Sequence, residues 1–209
     1  MNKKKQLTVE TTLQAQFDAL CALLPVKLQR TFKETCYFAG GCIYSLWNGQ
    51  EPKDYDVFCT SKAFLRSLSN LFKAAELTAA PMRASTMTDY TITLVAGEVT
   101  YQFVTAFVGE PEKVVGEFDF MHNMFWFHDG ALHCHALGDW KYLDSNKLVF
   151  NKARGRDAAS TITRVPKFVA RGMEISRDEM ALIMNKATAF PAVISERRSI
   201  KKLLRGRRY

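Results

Sequence analysis

The chain has 209 residues, of which 47% are hydrophobic and 24% charged, with a formal net charge of +8. That is enough chain for one domain with a sizeable core, and the composition excludes a fibrous or wholly disordered protein. No apolar run approaches the roughly 18 residues of a membrane span, and no apolar segment follows the basic first residues, so no membrane association is expected.

In chain order, Leu13, Phe17, Leu20, Leu24 and Leu28 recur three and four apart and predict an amphipathic helix over residues 7–32. Residues 36–39 read as a short buried strand ending at Gly40-Gly41, and residues 42–47 as a short helix stopped by Asn48-Gly49. After the turn Glu51-Pro52-Lys53, residues 55–59 read as a second strand. Ser61 is a good N-cap for a helix carrying Phe64, Leu65, Leu68, Leu71, Phe72 and Ala75 at helical spacing. Residues 90–95 and 99–107 are β-rich runs joined at Ala96-Gly97-Glu98, a hairpin signal. A turn or short helix starts at Pro111, and a second hairpin is expected around His128-Asp129-Gly130.

From Thr163 onward the pattern is helical, and Pro166 should place the helix start near Thr163, because proline is tolerated in a first helical turn. The outline is α+β: a head over residues 1–160, with its N-terminal helix, then a helical extension over residues 161–209. Arg197, Arg198, Lys201, Lys202, Arg205, Arg207 and Arg208 crowd the C-terminus, a cluster that favours polyanions and makes RNA the first partner to consider.

The five cysteines are odd in number and lack CxxC spacing, which points to a reducing, cytoplasmic setting rather than a disulfide framework. His128, His133, Cys134 and His135 lack a second pair at metal spacing and read as an ordinary hairpin. The aromatic run Phe118, Phe120, Phe125, Trp126 and Phe127 reads as core rather than a base-stacking platform.

Asp54 and Asp56 stand two apart at the start of a strand, so both carboxylates leave one face. Such a pair repels unless a cation intervenes, and Mg²⁺ or Mn²⁺ prefers carboxylate oxygens together with substrate phosphates. Gly40-Gly41, between a strand and a helix, lets backbone N–H groups approach a phosphate.

The run from Phe38 through Gly40-Gly41, Gly49 and Lys53-Asp54-Tyr55-Asp56 resembles the head of the CCA-adding enzymes and bacterial poly(A) polymerases, within the DNA polymerase β-like nucleotidyltransferases. Their signature is a GGxVRD segment, a short helix and P-K-D-x-D. Asp119-Phe-Met-His-Asn123 resembles the D-F-T-x-N core of the family's next motif. The stretch Arg164-Val-Pro-Lys167-Phe-Val-Ala-Arg171 resembles the neck helix, with its cations on one face. The resemblance runs over residues 37–175. It implies a polymerase β-like head and helical neck, and transfer of a nucleoside monophosphate from an NTP with release of pyrophosphate. Asp54 and Asp56 would be catalytic metal ligands. Gly40, Gly41, Lys53, Asp119, Asn123, Arg164, Lys167 and Arg171 would bind the nucleotide. The acceptor would be an RNA 3′ end, tRNA included, held by the basic C-terminus.

The chain departs from the family at several points. Tyr44 and Ser45 replace the Arg and Asp of GGxVRD, and Gln102 stands where a third metal-binding carboxylate is expected, with Asp119 as a candidate substitute. The family's base-reading E-D-x-x-R aligns with residues 157–161, which here would lie on loop and lack the Asp and Arg. Only residues 176–209 follow the neck. CCA addition itself is therefore not expected. Two alternatives are a weakly active or inactive nucleotide- or RNA-binding protein on the same fold, and a transferase acting on a protein or small molecule.

Overall fold

A computed structural model describes residues 2–74, 82–155 and 158–189. Helix α1 (Lys3–Leu23) is followed by α2 (Val26–Thr35), strand β1 (Cys36–Ala39), α3 (Gly41–Trp47), β2 (Tyr55–Cys59) and α4 (Lys62–Lys73). Then come β3 (Met82–Met87), β4 (Thr91–Ala96), β5 (Val99–Val108), α5 (Pro111–Val115), β6 (Phe125–His128), β7 (Ala131–Cys134), α6 (Ala159–Val169) and α7 (Arg177–Ala189).

The strands form one sheet in the order β3-β4-β5-β2-β1-β6-β7. Only the central β2–β5 pair is parallel, and the others are antiparallel. The two-residue periodicity of the central strands divides the molecule. Cys36 and Phe38 on β1, and Tyr55, Val57 and Cys59 on β2, point into the main core with the apolar residues of α1, α2 and α4. Tyr37, Ala39 and Phe58 point the other way, into a smaller cluster with Val114, Val115 and Met124. Asp56 and Phe58 share that second face, which leaves a carboxylate on the side away from the main core. A third cluster joins Phe120, Leu148 and Phe150 to Val165, Met173 and Ile183, so α6 and α7 bury apolar surface against the sheet portion. Each fully buried large apolar side chain contributes roughly 1.5–3 kcal/mol relative to exposure.

Three local features differ from the sequence pattern. The helix expected over residues 7–32 is two helices. Leu24, forced off helical geometry by the proline that follows it, is extended at φ −76° and ψ 149°, and Pro25 caps α2. Strand β3 has no counterpart in the sequence pattern, because Met-Arg-Ala-Ser-Thr-Met carries almost no apolar alternation; it is an edge strand held by β4. Helix α6 starts at Ala159 rather than near Thr163, with Pro166 inside it. Thr161 and Val165 are buried and anchor the helix, whereas Pro166 is exposed. The carbonyl it cannot bond, four residues back at Ile162, belongs to a residue 37% exposed and can turn to water.

Both hairpins occur where expected. Gly97 sits at φ 59° between β4 and β5, and Asp129 and Gly130 sit at φ 50° and 76° between β6 and β7. Among the described residues no helix is long and apolar enough to cross a membrane. Ala75 and the basic cluster at residues 197–208 lie outside the described residues.

Candidate active site

On the face opposite the main core, a cleft of about 300 Å³ opens between the sheet, α3 and α6. Gly40, Gly41, Asp54, Asp56, Asp119, Asn123, Arg164, Lys167 and Arg171 all line it. Of the nucleotide-site residues expected from the sequence, Lys53 alone is not in that lining; it is exposed on the turn before β2.

Asp56 lies in β2, in register beside Gln102 on the parallel strand β5. Burial and the neighbouring Asp54 push the Asp56 carboxyl up to about 7, while Lys167 and Arg164 pull it down. The ionised form of Asp56 is thus a charge that the fold by itself stabilises poorly. Hard oxygen donors of this kind fit Mg²⁺ or Mn²⁺, which complete their shells with substrate phosphates and water. Among the described residues no group of three or more His, Cys, Asp or Glu side chains gathers to hold an ion, and Gln102 brings an amide instead of a third carboxylate. The pair therefore suits an ion that arrives with a phosphate-bearing substrate.

Gly40 closes β1 at φ 84° and ψ −132°, a conformation open to glycine alone, and its N–H donates to the Phe125 carbonyl. A Cβ there would lie 3.4 Å from the Phe118 ring. Gly41 begins α3, where the first-turn N–H groups lack helical partners. A Cβ on Gly41 would meet nothing within 4 Å, so its backbone faces open space that a ligand could fill.

Across the cleft, Arg164, Lys167 and Arg171 follow one side of α6 and the turn after it. Among the described residues Lys167 and Arg171 make no ion pair, whereas Arg164 pairs with Asp119.

Asp119 lines the cleft, but its carboxylate is already engaged. It is 3% exposed, and its oxygens are held by Arg154, by Arg164 and by the Thr161 hydroxyl, which donates at 2.8 Å. Two guanidinium groups already balance the charge of this carboxylate, so it is poorly suited to supply the charge that Gln102 lacks at a metal. Its contribution is to fix Arg164 at the rim of the cleft.

Thr161 also corrects the expectation for residues 157–161. Residue 157 lies outside the described residues, but Thr161 is on α6, not loop, and is wholly buried, where it accepts from Arg154 at 3.0 Å. Its hydroxyl is committed to Arg154 and Asp119 and is not free to read a base. Arg154, within Lys-Ala-Arg-Gly-Arg, looks like a solvated basic loop in sequence and is 5% exposed in the fold. Only the distant carboxylate of Asp119 could have signalled its burial. Asn151, also buried, donates to the carbonyls of Gly116 and Phe118 at 2.7 and 3.1 Å and fixes the cleft's floor.

A protein-family profile described as Gad2, Gabija anti-defense 2 family protein, matches residues 3–139. A comparison with curated proteins gave no match. Among solved structures, the Thermotoga maritima CCA-adding enzyme complexed with tRNA superposes at a TM-score of 0.51 with 17% identity, over 81% of this chain and 44% of that one. A tRNA-processing enzyme in its apo form 2 gives a TM-score of 0.52, 18% identity, and coverage of 78% and 48%. A CCA-adding enzyme in its apo form I gives 0.52, 16%, and 79% and 41%. The chain thus spans less than half the length of these relatives. At such identity the likeness establishes the fold: an α+β polymerase β-like nucleotidyltransferase head.

Proposed function

The chain belongs to the Gabija anti-defense 2 family, and from its fold and its cleft we propose that it is a divalent-metal-dependent nucleotidyltransferase. The observation that supports this reading is the convergence of Asp54 and Asp56 with Arg164, Lys167, Arg171 and the Gly40-Gly41 backbone on one cleft. A cleft with two adjacent carboxylates facing three cations suits a metal-bound triphosphate better than a simple anion or a cation alone.

In the proposed reaction an acceptor hydroxyl attacks the α-phosphorus of an NTP. The bond from that phosphorus to the bridging oxygen breaks, pyrophosphate leaves, and the hydroxyl proton passes to solvent. A bound Mg²⁺ or Mn²⁺ would supply acidification of the hydroxyl and charge neutralisation at pyrophosphate. Asp54 and Asp56 would hold the ion, Lys167 and Arg171 would attract the phosphates, and the pair with Asp119 keeps Arg164 at the rim beside them. Reactions of this kind depend on positioning and electrostatics more than on covalent catalysis.

The acceptor we assign first is an RNA 3′ end, because the basic residues 197–208 suit a polyanion. Its family makes components of Gabija candidate acceptors as well. A second reading, a nucleotide-binding protein without turnover, is favoured by Gln102 beside Asp56.

The test is incubation with each labelled NTP and Mg²⁺, with total RNA in one arm and Gabija components in the other. Label on an acceptor with pyrophosphate release is the expected result, lost in the combined Asp54→Asn and Asp56→Asn variant. Normal transfer by that variant would refute the site; tight NTP binding with no transfer would favour the second reading.

A further inference from the structure

A second cavity, of about 320 Å³, adjoins the cleft and shares Gly41, Asn123, Phe168 and Arg171 with it. Its character differs. Apart from Arg171 at the junction, its lining carries no charged side chain, and its polar groups include the hydroxyl of Ser45, the amides of Gln50 and Asn146, and the imidazole of His122. The acidic pair, Arg164 and Lys167 belong to the cleft alone.

His122 is the unexplained residue. It is 1% exposed, and neither ring nitrogen has a hydrogen-bond partner among the described residues. The ring is wedged among Tyr44, at 4.8 Å between centroids, Phe168 at 5.2 Å and Phe120 at 5.9 Å. The neighbouring Asn123 leaves its Oδ1 buried and unpaired at the wall common to both spaces. A phenylalanine would fill the His122 position without stranding two polar atoms, so packing alone does not explain the imidazole. Burial pushes it down to about 3, and it is therefore neutral, with one donor and one acceptor. A neutral imidazole, amides and flanking aromatic rings are the chemistry of an uncharged heterocycle, not of a phosphate.

We infer that this cavity is the nucleobase subsite, with His122 and Asn123 reading the base edge while the triphosphate lies in the cleft. The inference rests on the transferase reading above. It supplies the base-reading role that the committed hydroxyl of Thr161 cannot perform. The shared wall of Gly41, Asn123, Phe168 and Arg171 is where base and phosphates of one nucleotide would join.

Titration calorimetry in Mg²⁺ with the four NTPs and with inorganic tripolyphosphate tests it. The wild-type protein should bind its preferred NTP at least about tenfold tighter than tripolyphosphate, a difference of about 1.4 kcal/mol. His122→Phe should keep the melting temperature and the tripolyphosphate affinity but bring the four NTPs to within about threefold of one another. Ser45→Phe, which fills the cavity, should bring every NTP to the level of tripolyphosphate. The inference is overturned if the rank order and the NTP-to-tripolyphosphate ratio survive both substitutions, or if tripolyphosphate binds the wild type as tightly as the NTPs do. If neither NTP nor tripolyphosphate binds, the transferase reading falls, and this inference with it.

Discussion

Replacing Asp56 with Asn should stabilise the metal-free protein, and by an amount that depends on pH. The Asp56 carboxyl is raised from 3.8 to about 7 in the fold, first by burial and then by Asp54. Between those two values the folded protein holds a proton that the unfolded chain has released. Stability therefore falls as pH rises through that window, by about 1.4 kcal/mol for each unit of difference. Three units would give about 4 kcal/mol; water at this partly exposed residue reduces it, and about 2–3 kcal/mol is the realistic size. Asn removes the penalty, so Asp56→Asn should gain little at pH 4 and about 2–3 kcal/mol at pH 8. For a chain of this length that corresponds to a rise of roughly 4–12 °C in Tm at the higher pH. Saturating Mg²⁺ at pH 8 should stabilise the wild type, because an ion bound only by the folded state shifts the equilibrium, and should leave the variant nearly unmoved. Thermal unfolding at both pH values, with and without Mg²⁺, measures all of this. An equal effect of the substitution at pH 4 and pH 8 would refute the argument that Asp56 is a charge held at a cost.

Asp119→Asn should destabilise by about 3–5 kcal/mol, seen as a lower urea midpoint, because it removes the carboxylate facing the buried Arg154 guanidinium. A loss below about 1 kcal/mol would mean that the pair is not held as ions. Gly40→Ala should cost about 1–3 kcal/mol, since its φ of 84° is strained for any side chain. Gly41→Ala, with open space around the new Cβ, should leave Tm unchanged and weaken tripolyphosphate binding; unaltered binding would remove Gly41 from the phosphate site. Truncation before Arg197 should lower the slope of log affinity for single-stranded RNA against log salt by about 0.7 for each phosphate that the cluster had neutralised, and an unchanged slope would assign the cluster to solubility alone.

Where residues neighbour one another in sequence, their local structure is legible directly. Strands β1 and β2, the N-cap Ser61, both glycine-bearing hairpins and the Asp54–Asp56 pair all follow from local spacing. The order of motifs from Gly40 to Arg171 carried the fold, although none of the later motifs would have done so alone. Misreadings came where a local rule met a tertiary constraint. Proline rules place a helix start near Thr163, but buried Thr161 and Val165 hold α6 from Ala159 and leave Pro166 on the exposed side. At the helix break the error ran the other way, since apolar spacing continues across Leu24 and Pro25 while proline sterics end the helix.

Long-range pairing lay beyond the sequence altogether. Asp119 is read there as a ligand for nucleotide or metal because it belongs to a motif with Asn123. Nothing within that motif reveals that Arg154, 35 positions on, and Arg164, 45 positions on, both close on its carboxyl group. The consequence reaches the chemistry. With Asp119 neutralised, Gln102 beside Asp56 and the cleft's Glu117 accepting from the Gly155 N–H, the described residues offer a metal the Asp54–Asp56 pair with no third carboxylate gathered beside it. An ion there must draw its remaining charge from the substrate's phosphates. Metal affinity should therefore be weak alone and strengthen when nucleotide is present, a coupling that by linkage must act equally in both directions.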